Sequence, residues 1–96
     1  MTLRVVAHMR CKADKTAQAK ELLQGLVAPT NEEPGCISYE MLKSTDDPTQ
    51  FTFVEEWQSE ADLDAHFGTD HIQAVLGQWD DLMAGSLDLR KYSKVG

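Results

Sequence analysis

From Leu3 to Lys12 apolar and polar positions alternate. Leu3, Val5, Ala7, Met9 and Cys11 fall on one side, and Arg4, Val6, His8, Arg10 and Lys12 on the other. Successive side chains leave a strand on opposite faces, so a period of two predicts a strand with one buried face. From Thr16 to about Asn31 the period changes. Ala19, Leu22, Leu23, Leu26 and Val27 recur at three- and four-residue steps, which lines them along one side of an amphipathic helix. Asp14 is placed to cap this helix, and Pro29 with the Glu33-Pro34-Gly35 turn is placed to stop it.

Alternation returns from Cys36 to Lys43, with Ile37, Tyr39 and Met41 on one side and Ser38, Glu40 and Leu42 on the other. Asp46-Asp47-Pro48 reads as a turn, and Phe51 to Gln58 as a third strand, so the two runs form a hairpin. Ser59 then caps a second helical region that opens with Ala61, Leu63, Ala65, His66 and Phe67. Gly68-Thr69-Asp70 interrupts it, and Ile72, Val75, Leu76, Trp79, Leu82 and Met83 continue with helical spacing until Gly85. Leu87 to Tyr92 is a last short strand. The order strand, helix, strand, strand, helix, strand predicts an α+β fold of the ferredoxin-like, split βαβ kind. Its four-stranded antiparallel sheet carries both helical regions on one face. Residues 1–96 read as a single domain.

The other face of such a sheet also needs cover. Leu42 lies opposite Tyr39 and Met41, and a domain this short buries only about 60–65% of the surface of its unfolded chain. Packing two open sheet faces against each other is the simplest remedy, so a homodimer is expected.

Composition narrows the partners. Hydrophobic residues make up 42% and charged residues 26%, the balance of an ordinary globular domain. No apolar run approaches the roughly 20 residues that span a bilayer. Met1-Thr2-Leu3-Arg4 does not open a signal peptide, so no membrane partner is expected. The formal net charge is −7. From Ser44 to Leu89 there is no Lys or Arg against eleven acids. A polyanion needs a basic footprint, so nucleic acid is not expected as a partner. Cys11 and Cys36 suggest a reducing, cytoplasmic setting rather than a disulfide framework, and their spacing is no zinc pattern.

Few residues can carry chemistry. Glu55 shares a strand face with Phe51, Phe53 and Trp57. A carboxylate there is either hydrogen-bonded or pushed toward neutrality, which makes it a candidate acid or base, or else a structural edge residue. His66 and His71 stand on either side of the Gly68 break. A histidine facing Glu55 would give a carboxylate–imidazole pair able to move a proton near neutral pH. Its alternative is a capping or core histidine. Histidine spacing alone offers no metal site, because no HxH or HxxxH pair occurs. His8 either lines a cavity or sits at the wet face. Trp57, Trp79, Tyr39 and Phe67 are core or interface residues, or the walls of a pocket for a flat aromatic ligand. The six glycines stand singly, so there is no phosphate loop, and no nucleophile elbow or flavin, haem or nicotinamide motif occurs.

These residues resemble a family. Glu33-Pro34-Gly35-Cys36-Ile37-Ser38-Tyr39, then Glu55-Glu56-Trp57-Gln58-Ser59-Glu60, then Leu63-Asp64-Ala65-His66 and His71 are similar to the antibiotic biosynthesis monooxygenase domain, over Val5 to about Leu89. The resemblance implies a dimeric α+β barrel with a pocket between sheet and helices in each subunit. It also implies cofactor-independent oxidation of quinols or phenols by dioxygen, with the substrate supplying the electrons. Other members degrade haem, isomerise a phosphorylated sugar, or have no known activity. Glu55, Trp57, His66 and His71 fall on the family's common positions, with Gly35 and Tyr39 on the motif before them. Haem-degrading members carry Asn, Trp and an axial His where this chain has His8, His66 and Leu76, which argues against haem. The base-free stretch argues against the phosphosugar branch, whose anion needs positive donors. The Pro usual before the second His is Asp70 here.

The function expected from this is a monooxygenase acting on a small quinol or phenolic aromatic with dioxygen and no cofactor or metal. In it His66 is the base, Glu55 its partner, and Trp57, Tyr39, His71, His8 and Phe67 bind substrate. The alternatives are a non-catalytic, stress-associated binding dimer and a carbonyl isomerase.

Overall fold

The computed structural model describes residues 2–96. Strand β1 spans Leu3–Arg10 and is followed by a 3-10 turn at Ala13–Lys15. Helices α1 (Thr16–Gln24) and α2 (Val27–Asn31) lead into β2 (Cys36–Lys43) and β3 (Gln50–Trp57). Helices α3 (Glu60–Phe67), α4 (Asp70–Gly77) and α5 (Trp79–Leu82) precede β4 (Asp88–Tyr92). The sheet order is β2-β3-β1-β4 with antiparallel neighbours. This is the ferredoxin-like arrangement the alternation predicts. Among the described residues, no helix is long and apolar enough to cross a membrane.

The alternation sorts the two faces as expected. Val5, Ala7 and Met9 of β1 and Phe51, Phe53, Glu55 and Trp57 of β3 are buried. Register sets them in rows: Tyr39–Glu55–Val5 in one, Met41–Phe53–Ala7 in the next. Ala19 and Leu23 of α1, Leu63 of α3 and Ile72 and Val75 of α4 complete the core. Burying each large apolar side chain contributes about 1.5–3 kcal/mol, so Phe51, Phe53 and Trp57 anchor β3, the strand that carries the site.

Three local expectations change. The first helix is not continuous. Inside one helix Pro29 would withhold the N–H that should bond Gly25 and would press its ring on that carbonyl. The chain instead tightens at Leu26, whose N–H reaches back to Leu23 at 3.0 Å. It then restarts as α2 with Pro29 in the first turn, where no N–H is needed. Asp14 caps nothing, because it lies inside the 3-10 turn and α1 starts without a side-chain cap. Ile37 leaves the core face: a register shift between Cys36 and Ser38 inserts it as the extra residue of a β-bulge, and it is exposed. The second helical region breaks at Gly68 as expected, and again at Gln78.

Candidate active site

The site is built where the start of β2, the end of β3 and the break between α3 and α4 meet. Ser59 closes β3 and caps α3, its Oγ accepting the Asp62 N–H at 3.2 Å. That fixes the helix on which His66 sits one residue before the C-terminus. The Glu33-Pro34-Gly35 turn is held by Cys36 N–H to the Glu33 carbonyl, 3.1 Å, and by Gln58 N–H to the Gly35 carbonyl, 2.8 Å. Gly35 has φ +81°, and an added Cβ would stand 2.2 Å from Asp62. Glycine is required there for both reasons.

His66 is 2% exposed. Its ring lies 5.0 Å from Trp57, 5.4 Å from Phe67 and 5.6 Å from Tyr39, centroid to centroid. Burial pushes its pKa down, against the upward pull of Glu33. Its Nδ1 lies 2.7 Å from Glu33 Oε2, and the same oxygen lies 2.6 Å from His71 Nε2. Glu55 is a separate group. Its Oε1 accepts the Trp57 indole N–H at 2.9 Å. Burial raises its pKa to about 7, opposed by that hydrogen bond and aided by the charge of Glu33. The Tyr39 hydroxyl is pushed up by burial and by Glu55. The carboxylate bonded to His66 is therefore Glu33, not Glu55 as the sequence suggested.

Beside these groups lies a cavity of about 40 Å³. His66 and Glu55 face it together with Tyr39 and Phe53; half-buried Phe67 and Trp79 border it on the helix side. Every other lining side chain is apolar or aromatic. Trp57 and His71 do not line the cavity: Trp57 stands behind Glu55 and donates its indole N–H to it, and His71 is joined to His66 only through Glu33. His8 is not brought to the cavity. Strand alternation turns it to the opposite face of the sheet, where its Nδ1 meets Thr52 Oγ1 at 3.0 Å. As a substrate-binding residue of this cavity it is withdrawn.

Glu33 is the site residue sequence reading missed; it figured in the turn and in the motif that carries the resemblance, with no role assigned to it. Its partners are 33 and 38 residues away, and no local spacing marks that contact. With it, three metal-ligating groups converge, their ligand atoms lying within 4.8 Å of one another. A tetrahedral ion would hold such atoms about 3.4 Å apart. Here each imidazole sits instead at 2.6–2.7 Å from one shared oxygen, the spacing of charge-assisted hydrogen bonds.

Sequence and structure comparisons agree with this architecture. The family model described as antibiotic biosynthesis monooxygenase matches residues 2–78. The chain belongs to that family. An uncharacterized protein of Synechocystis sp., sll1783, is 32% identical over 88 residues, covering 92% of this chain and 60% of that protein. The chain thus spans less than two thirds of that relative. The Mycobacterium tuberculosis protein named "Putative monooxygenase Rv0793" is 30% identical over 79 residues, 82% of this chain and 77% of that one. The crystal structure of PA3566 from Pseudomonas aeruginosa superposes with a TM-score of 0.93 at 22% identity, over 99% of this chain and 95% of that one. At that identity it speaks for the fold alone.

Proposed function

We propose that the protein is a monooxygenase that oxidises a quinol or phenolic aromatic with dioxygen, the substrate itself supplying the electrons. The observation that carries this reading is the cavity, apolar and aromatic except for one imidazole and one carboxyl group, His66 and Glu55. An electron-rich phenol needs a base and a water-poor aromatic wall to become a phenolate that reduces dioxygen. His66 takes the phenolic proton. Glu55, held by Trp57 and with its pKa raised to about 7, donates a hydrogen bond to the developing oxygen in its protonated form. Tyr39 and Phe67 face the ring. The reaction balances as phenol plus dioxygen to quinone plus water: the ring loses four electrons, one oxygen atom enters it and the other leaves as water.

An aromatic ring does not fit 40 Å³; a dry cavity that takes benzene is nearer 150 Å³. The wall toward α4 and α5 opens on binding. Leu76, 40% exposed, and Trp79 flank the break after Gly77, where Gln78 links the two short helices, its N–H bonded to the Val75 carbonyl and its carbonyl to the Leu82 N–H.

The enzyme works as a cytoplasmic homodimer in this reading. Val6 and Val54 pair across the open sheet face, with exposed Leu42 and Tyr92 toward its corners. A second copy is the partner that this self-complementary patch suits.

The test is substrate-dependent oxygen consumption by chelator-treated protein against a panel of hydroquinones and polycyclic phenols, with His66→Ala as control. Turnover that is lost in a folded His66→Ala variant supports the reading. Turnover without oxygen points to the isomerase alternative, and binding without turnover to a binding protein.

A further inference from the structure

We infer that Glu33, with His71 as its second donor, is a positioning clamp that fixes which nitrogen of His66 is free to act as base. The inference rests on the reading of His66 given above. Glu33 Oε2 receives His66 Nδ1 at 2.7 Å and His71 Nε2 at 2.6 Å. An ionised carboxylate only accepts, so both nitrogens carry protons. The His71 side supports this independently. Thr69 spends its hydroxyl proton on the His66 carbonyl at 2.7 Å, so toward His71 Nε2, 3.3 Å away, its oxygen can only accept. With Nδ1 of His66 protonated, Nε2 keeps its lone pair. Among the described residues the His66 ring is hydrogen-bonded through Nδ1, and the ring lines the cavity.

The burial gradient fits a clamp. The side chains of His66, Glu33 and His71 are 3%, 10% and 24% exposed. The carboxylate thus sits between a nearly sealed ring and one that reaches water. Two short contacts on one oxygen hold the Glu33 carboxylate in place. A single donor would leave the carboxylate free to swing. The second ties it to α4 across the Gly68 break, so the clamp also joins α3 to α4 behind the base.

Nitrogen NMR of the isotope-labelled resting protein tests this without turnover. The expected result is a protonated Nδ1 and a bare Nε2 on His66. Glu33→Ala shifts His66 toward the Nε2–H form that free imidazole prefers. Glu33→Gln, whose amide oxygen still accepts both N–H groups, keeps the wild-type tautomer. In turnover, Glu33→Ala lowers kcat on the order of a hundredfold with KM little changed, because Glu33 does not touch substrate. A resting His66 protonated at Nε2, or a folded Glu33→Ala variant with an unchanged tautomer, overturns the clamp. An intact clamp in a protein that consumes no oxygen overturns the oxygenase reading alone.

Discussion

Glu55 and Trp57 lie two residues apart on one strand, and the indole N–H of the second is donated to the carboxyl oxygen of the first at 2.9 Å. The bond satisfies a polar group that is 4% exposed, yet it does not offset burial, and the Glu55 pKa rises from 4.5 to about 7. A carboxyl group with a raised folded pKa binds its proton more tightly in the native state. Its contribution to stability is complete below pH 4.5 and is lost as pH climbs through 7. The shift corresponds to about 3 kcal/mol at most. Glu55→Gln keeps an oxygen for Trp57 and cannot ionise. Its stability relative to wild type is expected to rise between pH 5 and pH 9, read from urea midpoints at the two values. A constant difference would contradict the raised pKa.

Gly35→Ala is expected to destabilise by about 2 kcal/mol or more. It places a side chain at φ +81° and 2.2 Å from the Asp62 carboxyl carbon. Asp62→Ala in the same chain recovers only part of the loss. It removes the carboxyl but leaves its own Cβ 2.7 Å away and the backbone strain in place. Denaturant unfolding of the two single variants and the double variant measures this.

Ser59→Ala removes the one side-chain cap of α3 and is expected to cost about 1 kcal/mol, whereas Ser59→Thr, which keeps the hydroxyl that also donates to Asp62 Oδ2, restores it. Because α3 carries His66, hydrogen exchange of its first-turn amides is the sharper readout, and exchange unchanged by Ser59→Ala would refute the assignment.

Cys36 is only half-buried, and its thiol is nevertheless pushed up to about 11 by burial and by the charges of Glu33 and Glu55. The thiolate is the reactive form. Alkylation is therefore expected to stay slow at pH 8 and to accelerate only near pH 11, which iodoacetamide rates across pH will show.

The sheet was legible because burial follows a period of two. Val5, Ala7, Met9, Phe51, Phe53, Glu55 and Trp57 all fall on the expected face. Where an element departed, a local rule competed with periodicity: Pro29 against a continuous helix, the bulge at Ile37 against alternation. The site was half legible. Glu55 and Trp57 stood out because a charge between aromatics on one strand face is unusual, and the histidines because imidazoles are few. Their connection through Glu33 was not, since it joins a turn to two helices across more than thirty residues. Likewise His8 alternates away from the cavity, although its distance from the other histidines in sequence gave no sign of which face holds the site.

The central claim is that this cavity inserts one atom of dioxygen into a phenolic ring. The most direct measurement is mass spectrometry of product formed under isotopically heavy dioxygen by wild type and His66→Ala. One heavy oxygen atom in the quinone formed by wild type, and none formed by the variant, is the predicted result. Product that carries no label, or that forms equally under argon, would contradict it.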